Sequence, residues 1–224
     1  MPPKRLLRQV LRRLEQSLGR PAWKRWGKVV PVLVDTILSQ NTTSANSDAG
    51  FRHLRRRFPS WNSLADAPVE AIERCIRVCG LSRVKAPRIR RILQQIRQEC
   101  GKIDLEHLSA LGPREACERL LRFDGVGPKT AACVLLFSLG MELFPVDTHI
   151  LRIAVRLRLI GPRLSAEDAQ AHLTPLIAPA DRYATHILLI RLGRDLCHAR
   201  NPRCEWCCLS DLCPSCKIDD ETGT

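Results

Sequence analysis

A lysine, an aspartate and a group of cysteines are the residues of this chain whose types and spacing suit chemistry. Lys129 follows a Gly-Val-Gly-Pro turn, and Asp147 comes eighteen residues later in Val-Asp-Thr-His. An amine can act as a nucleophile, and a carboxylate can stabilise positive charge that develops during a reaction. Near the end of the sequence, four thiols in the pattern C-x6-C-x2-C-x5-C can enclose a metal centre; they are Cys197, Cys204, Cys207 and Cys213.

The turn before the lysine predicts a helix-hairpin-helix over about residues 113–139. Gly125 and Gly127 permit positive φ, and Pro128 suits the first position of a helix. The turn is neither a nucleotide-hydrolase phosphate loop nor a dinucleotide fingerprint, because the glycines that define those motifs are missing. Its free amides suit a backbone phosphate, which would bring Lys129 close to the neighbouring sugar. The alternative is an ordinary surface lysine after a helix break.

The cysteine pattern alone leaves the metal open. Zinc and iron–sulfur clusters both use four cysteines, although the usual zinc pattern has two C-x2-C pairs and this chain has one. Cys208 and Cys216 fall outside the pattern and are predicted not to be ligands. Arg200 and Arg203 lie between the first two ligands and are expected to face outward, toward phosphates or simply toward water. The other cysteines are predicted to be small buried side chains: Cys75, Cys79, Cys100, Cys117 and Cys133.

The charge of the chain indicates a polyanionic partner. Among 224 residues, Lys and Arg outnumber Asp and Glu by 36 to 23, which gives a net charge of +13. Nucleic acid is the first candidate and an anionic membrane surface the second. We expect no membrane association, because no lipidation motif and no bilayer-spanning apolar run occur. No signal peptide is evident, so an intracellular location is expected, in the cytoplasm or nucleoid of a bacterium, with an organellar presequence as the alternative.

Helical periodicity runs through almost the whole sequence, and no segment alternates like a strand, so the predicted fold class is all-α. Asp147 precedes one of these helices and is well placed to cap it, which is compatible with a chemical role. Residues 217–224 form a polar tail that is expected to be loose. The predicted helices cover about residues 4–18, 30–39, 44–58, 68–79, 83–100, 113–122, 128–139, 148–159 and 181–196, with a further helix beginning at Ser165.

The turn, the aspartate and the cysteine pattern together resemble the endonuclease III family of helix-hairpin-helix DNA glycosylases. Order and spacing agree at all three places, over about residues 30–216. The resemblance implies a two-lobed fold with a DNA cleft between a six-helix barrel (residues 30–141) and an iron–sulfur domain (residues 1–29 and 142–216). It implies a [4Fe-4S] cluster on the four patterned cysteines, which decides against zinc. It also implies a monomer that binds double-stranded DNA with a damaged base or an abasic site and flips the target base.

The resemblance assigns catalysis to Lys129 and Asp147. It implies a bifunctional DNA glycosylase and AP lyase that removes oxidised, ring-saturated pyrimidines. The lysine, once neutral, attacks C1′, displaces the base and forms a Schiff base, and β-elimination then cuts the strand. Desolvation favours the neutral amine, and the aspartate stabilises the developing positive charge. His149 is interpreted as structural.

Two alternatives stay open. A monofunctional glycosylase would activate water with Asp147 or Asp35, since adenine-mismatch glycosylases of the superfamily carry a glutamate near Asp35 but lack the lysine. A non-catalytic helix-hairpin-helix protein that only binds damage would need neither Lys129 nor Asp147.

The same resemblance predicts the residues that contact DNA. The loop 40–42 is expected to fill the gap left by the flipped base, but whether Gln40 or Asn41 enters the gap stays open. Leu81 matches an apolar wedge, with a core leucine as the alternative. Pro128 replaces an arginine of the best-known members and so removes one amide. The predicted DNA-binding residues are Gln40, Asn41, Thr42, Leu81, Gly125, Val126, Gly127 and Thr130.

Overall fold

The computed structural model describes residues 2–216, so the tail predicted at 217–224 lies outside the described residues. Over the described range the chain forms eleven α-helices and no β-strand, which confirms the all-α prediction. None of these helices is both long enough and apolar enough to cross a membrane. Contacts divide the chain into a middle unit, residues 24–141, and an outer unit made of residues 1–23 and 142–224. Residues 24–29 thus group with the middle of the chain, whereas the sequence analysis placed them with the N-terminal segment.

The middle unit contains helices α2 to α8. A 3₁₀ turn, Arg77–Cys79, connects α5 to α6. A second 3₁₀ turn, Glu106–Ala110, precedes α7. The helices are α2 (Val29–Leu38), α3 (Ser44–Arg57), α4 (Trp61–Ala65), α5 (Val69–Ile76), α6 (Ser82–Cys100), α7 (Pro113–Leu121) and α8 (Pro128–Leu139).

Helices α2 and α8 form the centre of the middle unit. Eight of the ten residues of α2 are buried, and so are nine of the twelve of α8. A helix that is apolar around most of its circumference has to be covered on all sides, which explains why these two pack against each other. The loops at the C-terminus of α2 and the N-terminus of α8 are therefore held by the best-packed elements of the unit.

The outer unit contains α1 (Pro3–Leu18), α9 (Thr148–Arg156), α10 (Ala166–Leu173) and α11 (Arg182–Asp195). Its core combines the apolar stripe of α1 with the buried faces of α9 and α11. Helix α9 ends three residues before the predicted boundary, because Arg158 takes a left-handed conformation with φ of 54° and the amide of Leu159 bonds back to the carbonyl of Ala154. The cysteine segment that follows α11 is irregular apart from two 3₁₀ turns, Cys204–Trp206 and Ser210–Leu212.

Candidate active site

The hairpin places Lys129 in the first turn of the central helix α8. Gly127 is the N-cap residue and Pro128 occupies the first helical position, as predicted. The Lys129 side chain is half-buried, and within its own unit no described residue pairs with its amine through a hydrogen bond or an ion pair. The amides of Lys129 and Thr130 lack acceptors inside the helix, as at any helix N-terminus. An unpaired amine thus lies beside amides that can bind an anion.

The two glycines of the hairpin differ in conformation. Gly125 has φ of 74°, whereas Gly127 is extended with φ of −89°, so the prediction of positive φ holds for Gly125 only. A Cβ on Gly125 would lie 2.0 Å from Nε of Arg88, whereas nothing lies within 4 Å of one on Gly127. Val126 is buried and its amide donates to the carbonyl of Phe123 at 3.0 Å, so this predicted phosphate donor is already engaged.

Helix α6 supports the hairpin through two arginines. Arg91 donates to the carboxylate of Asp124 at 2.9 Å, and Nε of Arg88 lies 3.9 Å from the same oxygen. This Nε is buried and has no hydrogen-bond partner among the described residues. The turn that precedes Lys129 is therefore held by α6 as well as by its own two helices.

The loop 40–42 contacts the hairpin through Gln40. The side-chain amide of Gln40 donates to the carbonyl of Gly125 and to the hydroxyl of Thr130, at 3.3 Å each. Thr130 is buried, so a contact with DNA is left to its backbone amide. Asn41 is exposed and left-handed with φ of 52°, and Thr42 is half-buried. The loop therefore presents Asn41 to solvent and turns Gln40 toward the protein.

Leu81 is the N-cap residue of α6, and it is exposed and left-handed. Its side chain is 54% exposed and its φ is 50°, which excludes the alternative of a core leucine. Val78 and Val84, three residues before and after Leu81, are also exposed. A solvated apolar side chain on a fixed turn is the geometry that a wedge between bases requires.

Lys85 is a buried lysine that the sequence analysis did not single out. It is 1% exposed, and its ammonium donates to three backbone carbonyls: Leu38 at 2.7 Å, Gln40 at 2.6 Å and Cys79 at 2.9 Å. Burial lowers the pKa of this ammonium, and the nearby Cys79 thiol opposes that effect. The only sequence signal is one lysine among the arginines of a basic helix, which does not distinguish a buried cation from a solvated one.

Asp35 is a half-buried acid in the central helix α2. Burial raises the pKa of its carboxyl, and the charge of Asp48 acts in the same direction. Asp35 therefore gives up its proton less readily than an exposed aspartate.

Asp147 caps α9, as the sequence predicts. Its Oδ1 accepts a hydrogen bond from the amide of Ile150 at 2.8 Å. The preceding segment is held in place, since Val146 donates its amide to Gln170 and the ring of His186 bonds to the carbonyl of Pro145. The Asp147 side chain is only half-buried, so capping leaves part of the carboxylate accessible.

His149 has a structural environment, in line with its interpretation. Its Nδ1 lies 3.0 Å from a guanidinium nitrogen of Arg152, and its side chain packs so closely on Gly193 that a Cβ there would lie 2.7 Å from the His149 Cβ and 2.9 Å from Nδ1. Arg152 also donates to the carbonyls of Gly193 and Cys197, at 2.9 Å each. These contacts link α9 to the end of α11 and the start of the cysteine segment.

The four patterned cysteines line one cavity of the outer unit. Arg156 borders this cavity, with one guanidinium nitrogen 3.0 Å from the sulfur of Cys197. Cys216 also lines the cavity, whereas Cys208 does not. Instead, Arg13 of α1 donates to the carbonyl of Cys208 at 3.3 Å. The cysteines at the cavity are Cys197, Cys204, Cys207, Cys213 and Cys216.

Four thiols that line one cavity are a donor set that fits a four-cysteine metal centre. Burial and the neighbouring thiols raise the pKa of Cys207 to about 11. A bound metal centre would lower this pKa, because it stabilises the thiolate. Within residues 2–216, no three His, Cys, Asp or Glu side chains are grouped closely enough to hold one metal ion.

The remaining cysteines match their predicted role only in part. Cys79 and Cys133 are buried, whereas Cys75, Cys100 and Cys117 are half-buried. Arg200 and Arg203 are exposed, and Arg203 also lines the cysteine cavity.

Comparison with known proteins identifies the family. The HhH-GPD superfamily of base excision DNA repair proteins matches residues 34–179. The chain belongs to this superfamily. This range contains the hairpin, Lys129 and Asp147, and it ends before the cysteine segment.

Relatives within this HhH-GPD superfamily confirm the resemblance to endonuclease III. The endonuclease III of Sulfolobus acidocaldarius is 30% identical over 191 residues, which span 83% of this chain and 81% of the relative. A candidate DNA glycosylase of Arabidopsis thaliana is 38% identical over 166 residues, 74% of this chain but 57% of the relative. The DNA glycosylase/AP lyase ROS1 of the same plant is 31% identical over 75% of this chain, which spans 14% of ROS1.

Solved structures of HhH-GPD proteins share the fold. A non-covalent endonuclease III–DNA complex superposes with a TM-score of 0.82 at 25% identity, over 95% of each chain. A thermostable thymine-DNA glycosylase superposes with a TM-score of 0.77 at 19% identity, over 94% of this chain and 96% of the other. The predicted helix-hairpin-helix glycosylase fold is thereby confirmed.

Proposed function

We propose that this HhH-GPD protein is a bifunctional DNA glycosylase and AP lyase that removes ring-saturated pyrimidines from duplex DNA. The observation that carries the proposal is the half-buried, unpaired Lys129 amine in the first turn of α8, directly after the glycine hairpin. A relative named as both DNA glycosylase and AP lyase, and relatives named as endonuclease III, support the reaction class. The substrate class rests on the resemblance to endonuclease III.

Lys129 is the proposed nucleophile. The free amides beside it bind a backbone phosphate and bring the adjacent sugar within reach of the amine. Nζ then bonds to C1′ as the bond between C1′ and the base breaks, and the base leaves with that electron pair and a proton. The sugar ring opens to give a Schiff base. Loss of a C2′ proton breaks the bond between C3′ and its oxygen, which releases the 3′ phosphate.

Asp147 is the proposed electrostatic partner. Its capping bond to the Ile150 amide fixes the side chain, and the half-buried carboxylate keeps lone pairs for a cationic sugar. Asp35 has a pKa that is raised by burial, so it is ionised less readily and less suited to this charge. We therefore assign the charge stabilisation to Asp147 rather than to Asp35.

Asn41 and Leu81 are the proposed residues that enter the DNA helix. Both are exposed, and Gln40 is occupied by bonds to Gly125 and Thr130. We therefore assign the gap left by the flipped base to Asn41 and the wedge to Leu81.

The cysteine cavity is the proposed site of a [4Fe-4S] cluster. Cys197, Cys204, Cys207 and Cys213 are the proposed ligands, in agreement with their shared cavity. A cluster bound to these four cysteines would fix the irregular segment after α11. Arg152 and Arg156 bond to Cys197, so the same segment is tied to α9, the helix that Asp147 caps.

Reductive trapping tests the proposal. The protein is incubated with borohydride and labelled duplexes that carry either an abasic site or thymine glycol. We expect a covalent protein–DNA complex on both, and its complete loss in Lys129→Ala. Lys102→Ala is the matched control, because Lys102 is an exposed lysine of the same unit, and it should trap as the wild type does.

The other outcomes separate the alternatives. Release of the base without any trapped complex would support a monofunctional glycosylase that activates water. Wild-type trapping by Lys129→Ala would overturn Lys129 as the nucleophile. Specific binding of damage without release or trapping, unchanged in Lys129→Ala, would overturn the proposed reaction in favour of a damage-binding protein.

A further inference from the structure

Lys85 connects the two loops that carry Asn41 and Leu81. Its three N–H groups each bind one carbonyl: Leu38 and Gln40 at the C-terminus of α2, and Cys79 in the turn before α6. An ammonium has three donors and no acceptor, so its hydrogen bonding is complete. Two chain segments that are far apart in sequence are thus fixed to one nitrogen atom.

Two of the three carbonyls that Lys85 binds lie close to strained backbone. The Gln40 carbonyl belongs to the peptide group that leads into Asn41, and the Cys79 carbonyl lies two residues before Leu81. Asn41 and Leu81 are left-handed residues other than glycine, with φ of 52° and 50°. Such conformations persist only where the surrounding structure holds them. The ammonium supplies part of that support at both places.

A buried ammonium costs more free energy than an apolar side chain that fills the same volume of the core. Lys85 is 1% exposed, and removal of a charge from water costs free energy even when its hydrogen bonds are made. An apolar residue of similar length would fill the same volume without that cost, but it would not orient three carbonyls. The ammonium of Lys85 is therefore explained by its orientation of the two loops and not by the volume that it fills.

We propose that Lys85 is a positioning residue for lesion recognition, which sets Asn41 and Leu81 together for entry into the DNA helix. This inference rests on the proposed function, because it needs those two side chains to enter DNA. Lys85 does not touch the reacting atoms, and it acts through the loops that it holds. Without its ammonium, the protein keeps Lys129 and its cationic surface but inserts the two side chains poorly.

The test uses the full protein and duplexes with 2-aminopurine next to a stable abasic analogue. Insertion unstacks the fluorophore and raises its emission. Lys85→Met is expected to lower both the emission gain and the affinity for this duplex by about tenfold, the equivalent of one charge-assisted hydrogen bond, with unchanged affinity for undamaged duplex. Arg83→Met is the matched control, because it removes a 92%-exposed cation from the same helix, and it should keep the emission gain.

A double variant distinguishes a positioning role of Lys85 from an effect on the general stability of the protein. In Asn41→Ala/Leu81→Ala, the added Lys85→Met substitution is expected to have no further effect on lesion binding, because its targets are gone. A further tenfold loss there, or wild-type emission in folded Lys85→Met, would overturn the inference. If the wild type shows neither lesion-specific affinity nor emission, the proposed function fails and this inference fails with it. If Lys129→Ala binds and inserts but Lys85→Met behaves as wild type, only the inference fails.

A measurement on the unmodified protein covers the case in which Lys85→Met does not fold. With ¹⁵N-labelled lysine, the buried Lys85 ammonium should give a slowly exchanging NMR signal, whereas solvated lysines exchange too fast to be seen. This signal is expected to shift on binding of the abasic duplex and not of an undamaged one. An unchanged signal with bound abasic duplex would contradict the inference.

Discussion

At the scale of single residues, Asp147 combines a structural and a proposed chemical role. The cap needs only an acceptor oxygen for the Ile150 amide, whereas stabilisation of a cationic sugar needs a negative charge. Asp147→Asn keeps the acceptor and removes the charge, so we expect an unchanged melting temperature and a loss of base release of about a hundredfold. Melting curves and thymine glycol release measure the two effects.

The matched variant for the cap is Asp147→Ala. It removes acceptor and charge together and should cost about 1 kcal/mol of stability in addition to the lost activity. Full base release by Asp147→Asn would reduce Asp147 to a capping residue.

Asp35 predicts a pH dependence of stability. Its pKa is raised in the folded protein, mainly by burial, above that of the unfolded chain. Both states are protonated below the unfolded value of about 3.9. As the pH rises through the folded pKa, the buried carboxyl has to ionise and the wild type loses stability relative to Asp35→Asn, whose side chain stays neutral. Asp35→Asn should therefore melt higher at pH 7, with a difference that shrinks toward pH 4.

Melting curves of both proteins from pH 4 to 8 check this sign. Asp48→Asn is the control, because Asp48 is exposed and contributes only the secondary charge effect on Asp35. A difference between wild type and Asp35→Asn that grows as the pH falls would contradict the argument. Unchanged borohydride trapping by Asp35→Asn would also agree with the assignment of charge stabilisation to Asp147.

At the scale of elements, the hairpin between α7 and α8 depends on one glycine more than the other. Gly125→Ala introduces a side chain at φ of 74° and against Arg88, whereas Gly127→Ala places a methyl group in open space at φ of −89°. We expect Gly125→Ala to cost about 1–2 kcal/mol, from the left-handed conformation alone, and Gly127→Ala to stay within about 0.5 kcal/mol. Chemical denaturation measures both, and equal losses would show that the turn tolerates a Cβ at either position.

The sequence predicts those elements that carry a periodic apolar pattern or a punctuating residue. Helix α8 begins at Pro128 as predicted, because proline and glycine act locally. Helix α4 was not predicted, since five residues are too few to display a period; its start depends on a capping box between Ser60 and Ser63. The premature end of α9 depends on the left-handed Arg158, which no residue type announces.

The residues of the candidate site also divide into those that the sequence predicts and those that only the folded chain shows. Lys129, Asp147 and the patterned cysteines are visible from spacing because each belongs to a short motif. Lys85 is not, because its burial depends on carbonyls from α2 and from the turn before α6, which only the folded chain brings together. The proposed choice of Asn41 over Gln40 likewise rests on a hydrogen bond between Gln40 and Thr130, which lies ninety positions away in the chain.

At the scale of the whole molecule, the positive charge is unevenly distributed. Residues 24–141 contain 20 Lys and Arg against 11 Asp and Glu, a net charge of +9, whereas the rest of the chain carries +4 with 16 against 12. The unit that holds the hairpin, Asn41 and Leu81 therefore supplies most of the field that attracts a polyanion. In the other unit, Arg200 and Arg203 of the cysteine segment are among the exposed cations that can contact phosphates individually.

Salt dependence distinguishes local phosphate contacts from the general field. Each phosphate that a cation neutralises contributes about −0.9 to the slope of log K against log salt. If Arg200 and Arg203 bind phosphates, their joint replacement by Ala should make the slope shallower by about two and weaken binding equally on damaged and undamaged duplexes. Replacement of the exposed Arg5 and Arg8 of α1 removes the same charge and serves as the control. Fluorescence anisotropy over a range of salt concentrations measures both slopes. The two variants carry the same net charge, so a difference between their slopes reports local phosphate contacts. Equal slopes would mean that the cysteine segment contributes only to the general field and binds no phosphate.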